Sequence, residues 1–189
     1  MIGYDFDETI YNGDSTRDFI LYSLKRQPTL ARFVFVWGWN ALLWKVFRVK
    51  SKTQFKEKLY SFFTAVKDID ALVEAFWNIH FKKIKGWYLA QKREDDIIIS
   101  ASPEFLLTPA VKRLGLTHLL ASRVDKKTGK YDGENCWGEE KVSRFYKYLP
   151  DGSIESFYSD SRSDTPMAKI ATGTSYLVKG DKITVWDNL

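Results

Sequence analysis

The chain has 189 residues, of which 44% are hydrophobic and 16% aromatic, and this composition favours a folded globular protein with one well-filled core. Its formal net charge of +5 is not accompanied by an arginine-rich or zinc-binding recognition motif, which argues against nucleic acid as a partner. The single cysteine, Cys136, excludes an intramolecular disulfide and predicts a reducing, cytoplasmic location.

The first predicted element is a short apolar strand that runs into two carboxylates, Asp5 and Asp7. Alternate residues of a strand share a face, so both side chains are expected to point the same way where the strand ends. Two like charges this close repel each other unless a divalent cation, a lysine or a proton relieves them. The alternative is a strand end followed by a polar turn. Because these acids stand where an export signal would need basic and apolar residues, no export signal is expected.

A block of helices is predicted between residues 15 and about 90. Caps, prolines and apolar periodicity predict its members. The first helix is capped by Asp14 or Ser15 and ended by Pro28, the second spans residues 29–47, the third follows a capping box at residues 51–54, and Asp68 caps the fourth.

The helical block carries an excess of positive charge. Residues 15–67 hold eleven Lys and Arg against two acids. This excess is interpreted as a solvated basic face, or as attraction for a phosphorylated substrate or an anionic lipid surface. The cluster of Trp37, Trp39 and Trp44 either fills a core or makes peripheral contact with a membrane. The longest uncharged apolar stretch, residues 33–44, is too short to span a bilayer, so no transmembrane segment is expected.

After residue 94, strands alternate with helices at the short intervals typical of a parallel, doubly wound α/β sheet. Ligands of such sheets lie beyond the carboxyl ends of the strands. Asp5 with Asp7, Ser100, and Asp160 with Asp164 are expected at those ends. The predicted elements are strands at 94–100, 118–121, 154–159, 175–178 and 183–186, helices opened by Ser102 and Pro103 and at 138–148 and 165–171, and an exposed hairpin at 124–136.

Four short motifs follow one another along the chain in a recognisable order. They are Asp-x-Asp-x-Thr at residues 5–9, Ser100 at a strand end, Lys141 near a helix start, and Asp-Ser-Arg-Ser-Asp at residues 160–164. This order is similar to the signature of the haloacid dehalogenase (HAD) superfamily, in its phosphoserine-phosphatase-like branch. The resemblance covers the chain apart from the helical block. It implies a Rossmann-like core of residues 1–11 and 91–189, a helical cap at 12–90 and a small flap at 122–136.

The resemblance also implies a magnesium-dependent phosphatase acting on a phosphomonoester. Asp5 would be the nucleophile that forms an aspartyl-phosphate, and Asp7 would protonate the leaving oxygen and then deprotonate water. Mg²⁺ would bind Asp5, the main-chain carbonyl of Asp7, and Asp160. Ser100 and Lys141 would bind the phosphoryl group.

The remaining residues of the motifs have supporting roles in the same family. Asp164 would orient metal-bound water and Lys141 from behind the reacting groups. Thr9 is expected to brace the first loop and Ser102 to cap its helix, while Arg162 faces solvent; Ser102 and Arg162 stay minor candidates for the site.

Three other functions stay open at this level. A phospholipid-related headgroup is one alternative substrate, and transfer of the phosphoryl group to an alcohol is an alternative reaction. A receiver-like signalling domain also combines a phosphorylated aspartate, acidic metal ligands, a hydroxyl and a lysine. Receivers, however, carry this aspartate on the third strand after an adjacent acidic pair, and the comparable stretch of this chain, residues 49–66, is rich in Lys and has no Asp. A non-catalytic binding protein is disfavoured because every acid of the motifs is present.

Overall fold

The computed structural model describes residues 1–33 and 52–187, with the backbone alone for residues 52–55. A six-stranded sheet in the order β3-β2-β1-β4-β5-β6 forms its centre. Neighbouring strands are parallel except β5 and β6, which are antiparallel. The strands are β1 (Gly3–Tyr4), β2 (Ile97–Pro103), β3 (His118–Ser122), β4 (Phe157–Ser159), β5 (Tyr176–Lys179) and β6 (Lys182–Val185).

Helices cover both faces of this sheet. The described α-helices are α1 (Ser15–Arg26), α2 (Lys52–Tyr60), α3 (Ile69–His80), α4 (Gly86–Gln91), α5 (Glu104–Arg113), α6 (Glu139–Tyr148) and α7 (Thr165–Ile170). In residues 1–33 and 52–187, no helix has the length and apolar character needed to cross a membrane.

Strand β2 shows why the described residues form two hydrophobic clusters. Ile98 belongs to a cluster shared with the helical block, whereas Ile97 and Ile99 belong to a second cluster with Phe145 and Met167. All three isoleucines are fully buried, as expected for a strand covered on both faces. The alternation of side chains along one strand therefore divides the hydrophobic interior into two layers.

The prediction of an α/β, doubly wound sheet is confirmed. Asp14 and Asp68 cap α1 and α3 through bonds to the amides of Arg17 and Ala71, as predicted.

The last strand is not parallel to its neighbour, because a tight turn with Gly180 at φ 60° returns β6 antiparallel to β5. The second predicted helix begins as a 3-10 turn, Pro28–Ala31. Residues 34–47 of this prediction, with Trp37, Trp39 and Trp44, lie outside the described residues, as does Ser51, the first residue of the capping box predicted for the third helix.

The chain leaves and re-enters the core at one place. Tyr11 and Ile84 form an antiparallel bridge, and the amide of Lys85 donates to the carbonyl of Ile10 at 2.8 Å. The buried ammonium of Lys85 donates to the carbonyls of Glu8 and Gly180, each at 2.7 Å. The two connections of the helical block are thus fastened to each other and to the loop after β1.

Residues 122–136 form a hairpin-like loop that packs on the helical block. One antiparallel bridge, Val124 with Tyr131, holds its arms. Tyr131 donates its amide to Glu57 Oε1 at 3.1 Å, and Lys126 Nζ lies 2.7 Å from Asp70 Oδ1. The hairpin prediction corresponds to this bridge; the description of residues 122–136 as a flap stays a prediction.

Gly129 at the tip of this loop is expected to be sensitive to substitution. Its φ is +72°, and a Cβ atom would lie 2.4 Å from the carbonyl oxygen of Tyr60. Gly133 has φ +90° but open space around it. Gly133→Ala should therefore lower the free energy of unfolding by about 1 kcal/mol through backbone strain, and Gly129→Ala by at least about 1 kcal/mol more through the clash. Urea unfolding of both variants measures the difference, and equal losses would contradict the close contact.

Candidate active site

The carboxyl ends of the neighbouring strands β2, β1 and β4 meet at one edge of the sheet. Asp5 follows β1, Ser100 lies on β2 and Asp160 follows β4. A cavity of about 490 Å³ opens there. Seven of the nine residues predicted from the sequence line it: Asp5, Asp7, Ser100, Ser102, Lys141, Asp160 and Asp164.

Lys141 is the centre of the charge arrangement. Its Nζ lies 2.7 Å from Asp5 Oδ1 and 2.6 Å from Asp164 Oδ2, and its side chain is 2% exposed. Burial alone would lower the pKa of Lys141, but the two carboxylates raise it above its ordinary value. Burial raises the pKa of Asp5, and Lys141 opposes that shift. The lysine is therefore a fixed positive charge that orients one oxygen of Asp5.

The backbone before α6 brings Lys141 to this position. Gly138 has φ +59°, a conformation that favours glycine, and α6 begins at the next residue. Lys141 stands in the first turn of α6, on the same side as Phe145, which is fully buried. Because Lys141 and Phe145 are four residues apart, both side chains lie on the buried face of α6, and the Lys141 ammonium reaches the edge of the sheet.

Asp7 occupies a polar niche at the start of α1. Its Oδ1 accepts from the amide of Ser15 at 2.6 Å, and its Oδ2 accepts from the hydroxyl of Ser102. Thr16 Oγ1 lies 3.0 Å from Ser102 Oγ. Burial raises the pKa of Asp7 to about 6, with a further increase from Asp14, while Ser102 and Ser15 lower it. A carboxyl group with this pKa can gain or lose a proton near neutral pH.

Ser102 was predicted to cap α5, and that prediction is wrong. Strand β2 continues through an irregular register to Pro103, which takes the N-cap position without a side-chain bond. The hydroxyl of Ser102 is directed to Asp7 instead. Its amide donates to Ser100 Oγ at 3.1 Å, so the two serines of β2 form one hydrogen-bonded turn at the cavity.

The loops after β1 and β4 are tied together behind the cavity. Thr9 Oγ1 accepts from the amide of Asp160 at 2.9 Å and lies 3.5 Å from Asp5 Oδ2. Ser159 Oγ donates to Asp164 Oδ2 at 2.8 Å. Thr9 is fully buried and does not line the cavity. These contacts are those expected of a residue that braces the first loop.

Arg162 lies outside the cavity. Its side chain is 53% exposed and pairs with Asp187. Although it stands within the fourth motif, the turn Arg162–Asp164 points it away from the other site residues.

The donor set suits a hard cation such as Mg²⁺. In the part of the chain that the structure describes, no group of three His, Cys, Asp or Glu side chains is arranged to hold a metal. The predicted ligands require only two side chains, Asp5 and Asp160, because Asp7 would contribute its main-chain carbonyl. Burial raises the pKa of Asp160, and Asp164 adds to the increase while Lys179 and Lys141 oppose it. Asp164 Oδ1 is buried, and no hydrogen-bond partner for it lies among the described residues.

The cavity contains residues that the sequence analysis did not single out as site candidates. Lys56 Nζ lies 3.4 Å from the carbonyl of Ala101 and 3.5 Å from Asn135 Oδ1. Burial lowers the pKa of Lys56, although Asp14 and Asp7 oppose that shift. Lys56 precedes Tyr60 by four residues, so a basic residue on the buried face of a helix was the available signal. The other unpredicted lining residues are Glu8, Asp14, Thr16, Arg17, Ile20, Leu21, Leu59, Tyr60, Ala101, Trp137, Ser161 and Ser163.

The haloacid dehalogenase-like hydrolase family model matches residues 2–169. Protein CicA of Caulobacter vibrioides is 31% identical over 100 residues, which cover 50% of this chain and 44% of CicA. The probable phosphatase Rv3661 of Mycobacterium tuberculosis is 34% identical over 98 residues, covering 47% of this chain and 33% of that protein. The matched segments thus span less than half the length of these curated relatives.

Solved structures share the fold. A protein of unknown function from Bordetella pertussis superposes with a TM-score of 0.66 at 23% identity, covering 88% of this chain and 84% of its own. A phosphoserine phosphohydrolase-like protein from Francisella tularensis superposes with a TM-score of 0.51 at 16% identity, covering 92% and 84%. The overall fold of this chain is therefore one that occurs in other proteins.

Proposed function

Because the chain belongs to the haloacid dehalogenase-like hydrolases, we propose that it is a phosphatase that hydrolyses a small phosphomonoester through an aspartyl-phosphate on Asp5. The observation that carries this proposal is the placement of Asp5 and Asp7 in one cavity, with Lys141 bound to the first and a helix start bound to the second. The two carboxylates thus have different environments, as different chemical tasks require.

Asp5 is suited to nucleophilic attack. Lys141 holds Oδ1 at 2.7 Å, whereas among the described residues Oδ2 has only the long contact of 3.5 Å to Thr9. We therefore assign Oδ2 as the atom that bonds to phosphorus while the bond from phosphorus to the leaving oxygen breaks. Lys141 fixes the orientation of the carboxylate before the reaction.

Asp7 is suited to move protons. In its protonated form it gives the proton to the leaving oxygen, so that the alcohol departs neutral. As a carboxylate it then takes a proton from the water that attacks phosphorus, which releases inorganic phosphate and restores Asp5. The pKa of about 6 makes both forms accessible near neutral pH.

Ser100 and Lys141 stabilise the negative charge of the phosphoryl group in this scheme. The Ser100 hydroxyl is held by the amide of Ser102, and Lys141 is held between two carboxylates. Donors fixed before the reaction stabilise developing charge without reorganising. Mg²⁺, held by Asp5, Asp160 and the carbonyl of Asp7, would neutralise charge that otherwise keeps phosphate and carboxylates apart.

Metal removal tests the cofactor. Hydrolysis of p-nitrophenyl phosphate in the presence of Mg²⁺ is expected to stop when excess EDTA is added and to return when Mg²⁺ exceeds the chelator. The physical reason is the repulsion between the phosphate and the acids of the cavity. EDTA presaturated with Mg²⁺ is the control and should leave the rate unchanged. Undiminished turnover in EDTA would remove the metal from the proposal.

A further inference from the structure

The face of α1 that lines the cavity changes from polar to apolar along the helix. Thr16 and Arg17 are followed one turn later by Ile20 and Leu21, and all four line the cavity. The amide of Ser15 binds Asp7, so the start of α1 marks the reacting end. With a rise of 1.5 Å per residue, Ile20 and Leu21 lie about 8 to 9 Å farther along the helix axis. A phosphoryl group bound at Asp5 cannot extend to them, but the rest of its ester can.

Other elements add apolar side chains to the same cavity. Leu59 of α2 and Trp137, just before α6, both line it. Leu21 is 50% exposed and Trp137 is 46% exposed. Both are large hydrophobic side chains that remain accessible to solvent, and they line the same cavity as Asp5 and Asp7. We call Ile20, Leu21, Leu59 and Trp137 the apolar wall.

We propose that the apolar wall binds the leaving group of the substrate, and that this leaving group carries a hydrocarbon portion beyond the ester oxygen. This inference rests on the proposed phosphatase function and adds the substrate class. Displacement of water from Leu21 and Trp137 lowers the free energy of binding only if the ligand places apolar surface against them. A small polar leaving group would leave both side chains exposed and gain nothing from them.

A series of ligands with growing chains tests the wall. Ethyl-, butyl- and hexylphosphonate, whose C–P bond is not an ester bond, report binding by calorimetry, and the corresponding alkyl phosphates report kcat/KM below their micelle concentrations. Full burial of a methylene changes the affinity about fourfold, and burial against a half-exposed wall changes it about twofold per methylene. We therefore expect hexylphosphonate to bind at least about tenfold more tightly than ethylphosphonate. The alkyl phosphates should show the same order, and O-phosphoserine and glycerol 3-phosphate should be poorer substrates than hexyl phosphate.

Variants of one exposed leucine locate the effect. Leu21→Ser should reduce the ratio of hexylphosphonate to ethylphosphonate affinity by at least about threefold, and Leu21→Met should restore it. Leu89 is 44% exposed on α4 and does not line the cavity, so Leu89→Ser is the matched control and should keep the ratio.

The possible outcomes overturn different statements. Affinity that does not change with chain length, or a ratio unaffected by Leu21→Ser, would overturn the apolar wall. A chain-length preference in binding without hydrolysis of any ester would support the wall and overturn the phosphatase proposal. Preference for O-phosphoserine over hexyl phosphate would also overturn the substrate class.

Discussion

Asp5→Asn is expected to abolish phosphatase turnover, with a loss of at least about 10⁴-fold in kcat. An amide oxygen can still accept the hydrogen bond from Lys141, so the side chain keeps its place. It has no negative charge with which to attack phosphorus, and no aspartyl-phosphate can form. Steady-state hydrolysis of p-nitrophenyl phosphate measures the loss. Trapping of a phosphorylated protein should succeed with the wild type and fail with the variant.

The control for this variant is an exposed aspartate changed in the same way. Asp151 lies in the turn after α6, away from the cavity, so Asp151→Asn should retain wild-type turnover. Both variants should unfold at similar temperatures. Normal activity in Asp5→Asn would exclude Asp5 as the nucleophile, and reduced activity in both variants would point to a general effect on the fold.

Lys141→Met is expected to reduce both stability and activity. Removal of the ammonium leaves Asp5 and Asp164 in a buried place without their shared partner. Breaking a buried ion pair by removing one partner costs about 3–5 kcal/mol, and loss of a donor to the transition state costs about 10² to 10³ in kcat. Urea unfolding in EDTA measures the first effect, because no added metal then compensates the acids.

Lys147→Met provides the comparison on the same helix. Lys147 is exposed, and we expect its replacement to change the free energy of unfolding by less than about 0.5 kcal/mol. If Lys141→Met were no less stable than Lys147→Met, the contacts of Lys141 would not be those of a buried counter-charge. Low activity with unchanged stability would likewise contradict the network.

Much of the site follows from sequence because topology decides it. Asp5 and Asp160 follow apolar strands, and parallel neighbours place the carboxyl ends of those strands at one edge. Ser100 was expected at a strand end and lies inside β2 instead, because β2 continues to Pro103, but it lines the same cavity. Lys141 and Asp164 could be predicted as site residues only from the order of the four motifs. A helix start or a turn by itself carries no local sign of a buried charge network. Their contacts with each other join residues 23 apart in sequence.

The errors of sequence reasoning also have physical causes. A proline after a serine is typical of a helix start, but pairing of β2 with β3 continues to Pro103 and frees Ser102 to reach Asp7. Lys56 reaches the cavity only through packing of α2 near β2 and the loop at Asn135. Its spacing of four residues from Tyr60 marks the buried face of α2, but it does not show which part of the sheet that face packs against.

The bridge between Tyr11 and Ile84 makes the helical block exchangeable. The two ends of the block lie side by side, so the block is a long insertion between two neighbouring points of the chain. Since the entropy of closing a loop grows only slowly with its length, blocks of other sizes can be grafted at these two points with little penalty. Strands β1 and β2, which flank the block, pair directly with each other, with Gly3 opposite Ile97. Residues of α1 and α2 that line the cavity can therefore change while Asp5 keeps its place after β1.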